Sequence, residues 1–181
     1  STRITRHREI AQAIEERFPR LAAERPELLA QHYTAARDPE KAVGHWIAAA
    51  RGALQQNAHL ETMAHVDSAL ALCPDLADEQ ARSATELELR ICAVPALLAA
   101  KGYGDPDVQA TCERALTLCE QLPGAPQQIV ALFGLWTFNV VRANHAQSLA
   151  LAKRFLALAE ASGSEDLLLE AHLINGIAHL F

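Results

Sequence analysis

Apolar residues in this chain recur at three- and four-residue steps, interrupted by prolines and glycines, and that spacing predicts helix throughout. Ile10, Ile14 and Phe18 stand four apart in a first helix that begins near Ile4, and Pro19 closes it. Pro26 opens a second helix, where its missing N–H costs nothing; Leu28, Leu29, His32, Tyr33 and Ala36 follow. Asp38-Pro39 repeats the start signal, an N-cap oxygen and then proline. The helix it opens runs to about Gln56 and lines up Ala42, Trp46, Ala49, Ala50 and Ala53 before Asn57 breaks it. A fourth helix, about Leu60 to Cys73, stops at Pro74.

The fifth segment, about Asp78 to Lys101, places Leu87, Ile91, Val94 and Leu98 in one stripe flanked by Glu86, Glu88 and Arg90. Pro95 falls inside it and predicts a kink or a boundary between two helices. Gly102-Tyr103-Gly104 ends the segment. Asp105-Pro106 starts a sixth helix, to about Leu122, with Val108, Cys112, Ala115 and Cys119 on one face. Pro123-Gly124-Ala125-Pro126 predicts a tight break, and the helix from Pro126 to about Ala143 is apolar nearly all round, so it is expected to be covered on more than one side. An eighth helix, about Ala146 to Ala161, ends at Gly163. The ninth starts at Ser164 and has an apolar edge at Leu169, Leu173, Ile177 and Leu180. Nine helices with short turns predict an all-α fold of successive antiparallel hairpins.

A repeat is the next expectation. Trp46, Ala49, Ala50 and Ala53, then Thr62, Val66, Ala69 and Pro74, have the spacing of the tetratricopeptide signature, with Ala49 at its Leu position and Ala53 at its Tyr position. The small residue lets two helix backbones approach to about 8–9 Å, and the large ones fill the gap between hairpins. The unit from Pro39 to Pro74 therefore resembles a tetratricopeptide repeat, and the later pairs keep its length while losing its signature. His7-Arg8-Glu9-Ile10-Ala11, Pro26 to Tyr33, Glu40-Lys41-Ala42-Val43, Ala99 to Tyr103 and Gly134-Leu135-Trp136 are similar to a stretch of large bacterial signalling ATPases of the STAND/AAA type. In that family the stretch links the ATPase module to a C-terminal tetratricopeptide-like array, and many members carry a class III adenylate/guanylate cyclase domain. The resemblance implies a right-handed α-solenoid: residues 1–37 as a linking helical pair after a missing upstream module, and residues 38–181 as repeats truncated at the C-terminus. It also implies a parent protein with ATPase or cyclase activity, none of whose catalytic motifs is present in this segment.

Composition narrows the chemistry. Aromatics make up 5% and no alternating β-branched run occurs, which argues against strands. The net charge of −6 speaks against nonspecific nucleic-acid binding, although residues 1–25 hold six arginines against four glutamates. No apolar run reaches the roughly 20 residues needed to span a bilayer. Cys73, Cys92, Cys112 and Cys119 show no CxxC spacing and read as small hydrophobes in a reducing, cytoplasmic setting. A Walker-type phosphate loop, G-x-S-x-G, H-E-x-x-H and Cys/His zinc patterns are all missing from the sequence. His172 and His179 lie two turns apart, about 10 Å along a helix, too far to share an ion unaided. Glu15-Glu16 and Glu165-Asp166 are adjacent pairs that splay around a helix, and both read as structural.

The expectation is a non-catalytic scaffold or regulatory segment without cofactor or metal. It would bind a protein or peptide partner, or a second copy of itself, along a groove. Repeat register places Arg51, Gln55, Arg90 and Lys101 toward that groove, with Asn139 and Arg142 beside them. The competing expectation is the inducer-sensing domain of a LuxR/STAND-type regulator, with a ligand pocket near Phe133, Trp136 and Phe138.

Overall fold

The computed structural model describes residues 2–122 and 126–179. Most of the expected break at Pro123–Pro126, and Leu180 of the apolar edge, lie outside the described residues. The elements in chain order are α1 (Thr2–Arg17), α2 (Pro19–Glu24), α3 (Pro26–Ala35), α4 (Pro39–Gln55) and α5 (His59–Leu70), then a 3-10 turn (Cys73–Asp75). After it come α6 (Glu79–Lys101), α7 (Pro106–Gln121), α8 (Gln128–Val141), α9 (His145–Ser162) and α10 (Glu165–Ala178). The fold is all-α, with no strand among the described residues.

Two expectations change. Pro19 does more than end α1: it occupies the first turn of α2, a short helix the periodicity did not reveal. Pro95 is solvent-exposed within a single helix that runs on to Lys101, so no boundary between two helices falls there.

The chain divides into two compact units, Ser1–Ala96 and Leu97–Phe181. In the first, α3 packs against α1 and α4, and α4 packs against α5. Leu29, Tyr33, Trp46, Val66 and a series of alanines (Ala30, Ala42, Ala50, Ala69) form its interior. Trp46 bridges three helices: its indole N–H donates to Thr34 Oγ1 of α3 at 3.1 Å, and its ring meets His65 of α5 at 5.3 Å. In the second unit α8 packs against both α7 and α9, and α9 against α10. Leu132, Trp136 and Phe138 of α8 are buried, as are Phe155 of α9 and Ile174 of α10.

One turn recurs three times. After α3, α4 and α8 a residue with positive φ (Arg37 at 55°, Asn57 at 56°, Ala143 at 57°) reverses the chain. In each case the next amide donates to the carbonyl five residues back: Asp38 to Tyr33 at 3.0 Å, Ala58 to Ala53 at 2.9 Å, Asn144 to Asn139 at 2.8 Å. These are helix ends of the Schellman kind, and each leads within two residues into the next helix.

Candidate functional site

The densest group of titratable side chains joins α1, α3 and α4. Glu15 faces inward from α1, Tyr33 from α3, and Lys41 and His45 stand one turn apart on α4. Tyr33 Oη donates to Glu15 Oε2 at 2.5 Å, His45 Nε2 pairs with Glu15 Oε1 at 3.1 Å, and Lys41 Nζ lies 3.5 Å from the same carboxylate. Lys41 Nζ also donates to Tyr33 Oη at 3.1 Å and sits over the ring, while the His45 ring stacks on Tyr33 at 5.6 Å. Burial alone would raise the Glu15 pKa, but the hydrogen bonds from Tyr33 and His45 and the Lys41 charge outweigh it, so the carboxylate titrates below its ordinary value. Burial and the hydrogen bond to Glu15 push the Tyr33 phenol up, and the Tyr33 hydrogen bond raises Lys41. Between α1 and α3, His7 Nδ1 and His32 Nδ1 are 2.9 Å apart, so one nitrogen donates and the other accepts. Burial and the neighbouring His7 lower the His32 pKa. The chemistry available to this cluster is cohesion: each polar atom named is spent on another helix.

Sequence reasoning missed this group because it took Glu15 and Glu16 as one splayed pair. The usable signal was the Lys41/His45 step on α4, which presents two donors to whatever packs there.

The groove residues fall into both units. Arg51 is exposed on α4 and pairs with Glu88 of α6 at 2.7 Å; Arg90 pairs with Glu86 at 2.9 Å. Gln55, the last residue of α4, is exposed. These three belong to the first unit, and Arg51 and Arg90 both find their partners on α6. In the second unit Lys101 pairs with Asp107, and Arg142 is exposed near the Phe138 ring, 6.0 Å from its centroid. Asn139 is buried; its amide donates to Leu135 O at 2.8 Å and its oxygen accepts from Asn144 at 3.1 Å, so it ties off the turn between α8 and α9.

An open cleft of about 790 Å³ lies in the first unit between the α2–α3 corner, α4 and α5. Glu24 and Glu27 edge one side, Glu61 and His65 the other, and Gly52 and Ala53 of α4 lie between. Arg25 pairs with Glu27.

Cys73, Cys112 and Cys119 are buried and Cys92 is partly so. Burial raises all four thiol pKa values, that of Cys112 to about 12. Among the described residues no three His, Cys, Asp or Glu side chains gather as a metal site, and no helix is long and apolar enough to cross a membrane. No family model, curated protein or solved structure matches this chain.

Proposed function

We propose that this chain is a non-catalytic helical-repeat scaffold, a tetratricopeptide-like segment of a larger bacterial signalling protein of the adenylate cyclase/ATPase type. Its work is to bind a protein partner or to self-associate. The observation that carries this reading is the recurrence of one turn after α3, α4 and α8, with the same positive-φ residue and the same five-residue backbone bond. Repetition of a single helix–turn–helix unit is how solenoids extend a binding surface, since each unit buries its apolar face only against its neighbours. The Glu15–Tyr33–Lys41–His45 cluster supports it too, because its polar groups are used between helices. Arg51 and Gln55, exposed on α4, remain the groove candidates that a partner reaches first.

The test has two parts. The reading frame upstream of the codon for Ser1 is expected to encode a phosphate loop and a cyclase-type domain. Titration calorimetry of the chain with that upstream module, and light scattering of the chain alone, are expected to show binding or a concentration-dependent dimer. Either is lost in an Arg51→Glu/Arg90→Glu variant whose circular dichroism is unchanged. A frame without those motifs overturns the parentage, and a chain that stays monomeric and binds nothing overturns the scaffold.

A second reading, small-molecule sensing, is favoured by one observation. Trp136 is buried on α8 beside Phe133, yet its indole N–H has no hydrogen-bond partner among the described residues. A buried donor left unpaired costs about 1–3 kcal/mol, which a ligand acceptor would recover. Quenching of intrinsic fluorescence by a metabolite panel, absent in Trp136→Phe, is the expected sign; a flat response to every compound removes this reading.

A further inference from the structure

The tetratricopeptide spacing puts a leucine and a tyrosine where α4 has Ala49 and Ala53, and large side chains at those positions fill the space between one hairpin and the next. Ala49 and Ala53 are themselves buried, and the cleft of about 790 Å³ opens beside them, with Ala48 and Gly52 as its accessible α4 wall. A Cβ built on Gly52 meets nothing within 4 Å, so the middle of the α4 wall is open space. The two sides are acidic. Glu24 at the end of α2 and Glu61 in the first turn of α5 make no hydrogen bond or ion pair among the described residues, whereas Glu27 is held by Arg25.

We propose that this cleft is a docking site for a short segment of a partner protein that carries a lysine or arginine among small residues. The alanine and glycine wall admits a close-lying backbone and the methylene stem of the basic side chain. Glu24 and Glu61 receive its charge from opposite walls, each gaining the charge-assisted bond it lacks. The proposal rests on the scaffold reading and adds to it a second contact, for a basic segment between hairpins, apart from the Arg51–Arg90 face.

A phage-displayed random dodecapeptide library panned on the whole chain tests this. Enriched clones are expected to carry Lys or Arg next to Gly, Ala or Ser. The affinity of the corresponding synthetic peptides is expected to fall at least tenfold in Gly52→Leu, which blocks the cleft while favouring helix, and in Glu24→Gln/Glu61→Gln. Lys153→Ala/Arg154→Ala, exposed on α9 in the second unit, should bind them as the parent chain does. Peptides that bind Gly52→Leu undiminished overturn the cleft, and if Arg51→Glu/Arg90→Glu loses them instead the scaffold reading survives without it. Enrichment of acidic or uncharged clones also overturns it. Binding of spermidine with no peptide enriched would replace the peptide by a free cation and so overturn the proposed occupant. If nothing enriches and nothing binds, the cleft proposal falls, and the scaffold reading rests on calorimetry with the upstream module and on light scattering.

Discussion

Glu15 shows how one side chain can decide where a helix lies. Its two oxygens take a phenol, an imidazole and an ammonium from two other helices, and with 31% of the side chain exposed it sits where charge-assisted bonds keep part of their strength. Glu15→Gln retains an acceptor for Tyr33 but offers an amide where His45 or Lys41 needs an oxygen. The expected loss is about 1–2 kcal/mol, read as a lower urea midpoint. A variant as stable as the parent would mean that α1 is held by its other contacts, the His7–His32 and Arg8–Ala36 bonds among them. Neither Glu15 nor Glu16 stands out in the sequence, since both are helix-surface carboxylates until packing selects one. Cys112 is the opposite case, legible from its place on the apolar stripe of its helix. Its thiol is pushed up to about 12 by burial, so iodoacetamide at pH 8 should leave it unlabelled in the folded chain and label it in urea, as mass spectrometry of the peptides would reveal. Rapid labelling without urea would show that α7 opens.

Proline and N-cap signals made the helices legible. Asp38-Pro39, Asp105-Pro106 and Ser164 start helices where expected, and each of these caps accepts a bond from a first-turn amide. The missed helix, α2, lies between Pro19 and Pro26 and is six residues long, too short for periodicity to register. The helix ends were less legible, because a left-handed residue is announced by glycine or asparagine and here two of the three recurrent turns use Arg37 and Ala143. Ala143 at φ 57° bears a Cβ in a conformation that costs about 1–2 kcal/mol. Ala143→Gly relieves that strain but gives the unfolded chain more freedom, for a net gain of roughly 0.5–1 kcal/mol. Thermal unfolding should move upward; an unchanged or lower midpoint would show that the turn bears no strain. Gly163, already glycine at φ 67°, is the control where Gly163→Ala should do the reverse.

For the whole molecule the cleft between hairpins was half-written in the sequence. Ala49 and Ala53 announce that large residues are missing, but nothing in the local pattern says whether neighbouring helices close over the gap. The same limit hides the polar cluster, whose members come from three helices, and its consequence is a pH dependence that no single segment displays. Glu15 and His32 both have lowered pKa values in the fold. The unfolded chain then binds their protons first on acidification, so stability falls as pH drops below about 6.5 through His32 and again below about 4.5 through Glu15. Tyr33 and Lys41 are raised, so the folded chain holds their protons longer, and their contribution is lost only as pH rises past about 10 to 10.5. Urea midpoints measured from about pH 2.5 to 11 should therefore form a plateau between roughly 7 and 9 with a decline on each side. Each proton of difference between the two states sets a slope of about 1.4 kcal/mol per pH unit. Glu15→Gln should flatten the decline below 4.5 while leaving the His32 step in place, and His32→Gln should do the converse. Acid limbs that stay superimposable across the parent and both variants would assign the pH dependence to groups outside the α1–α3–α4 junction.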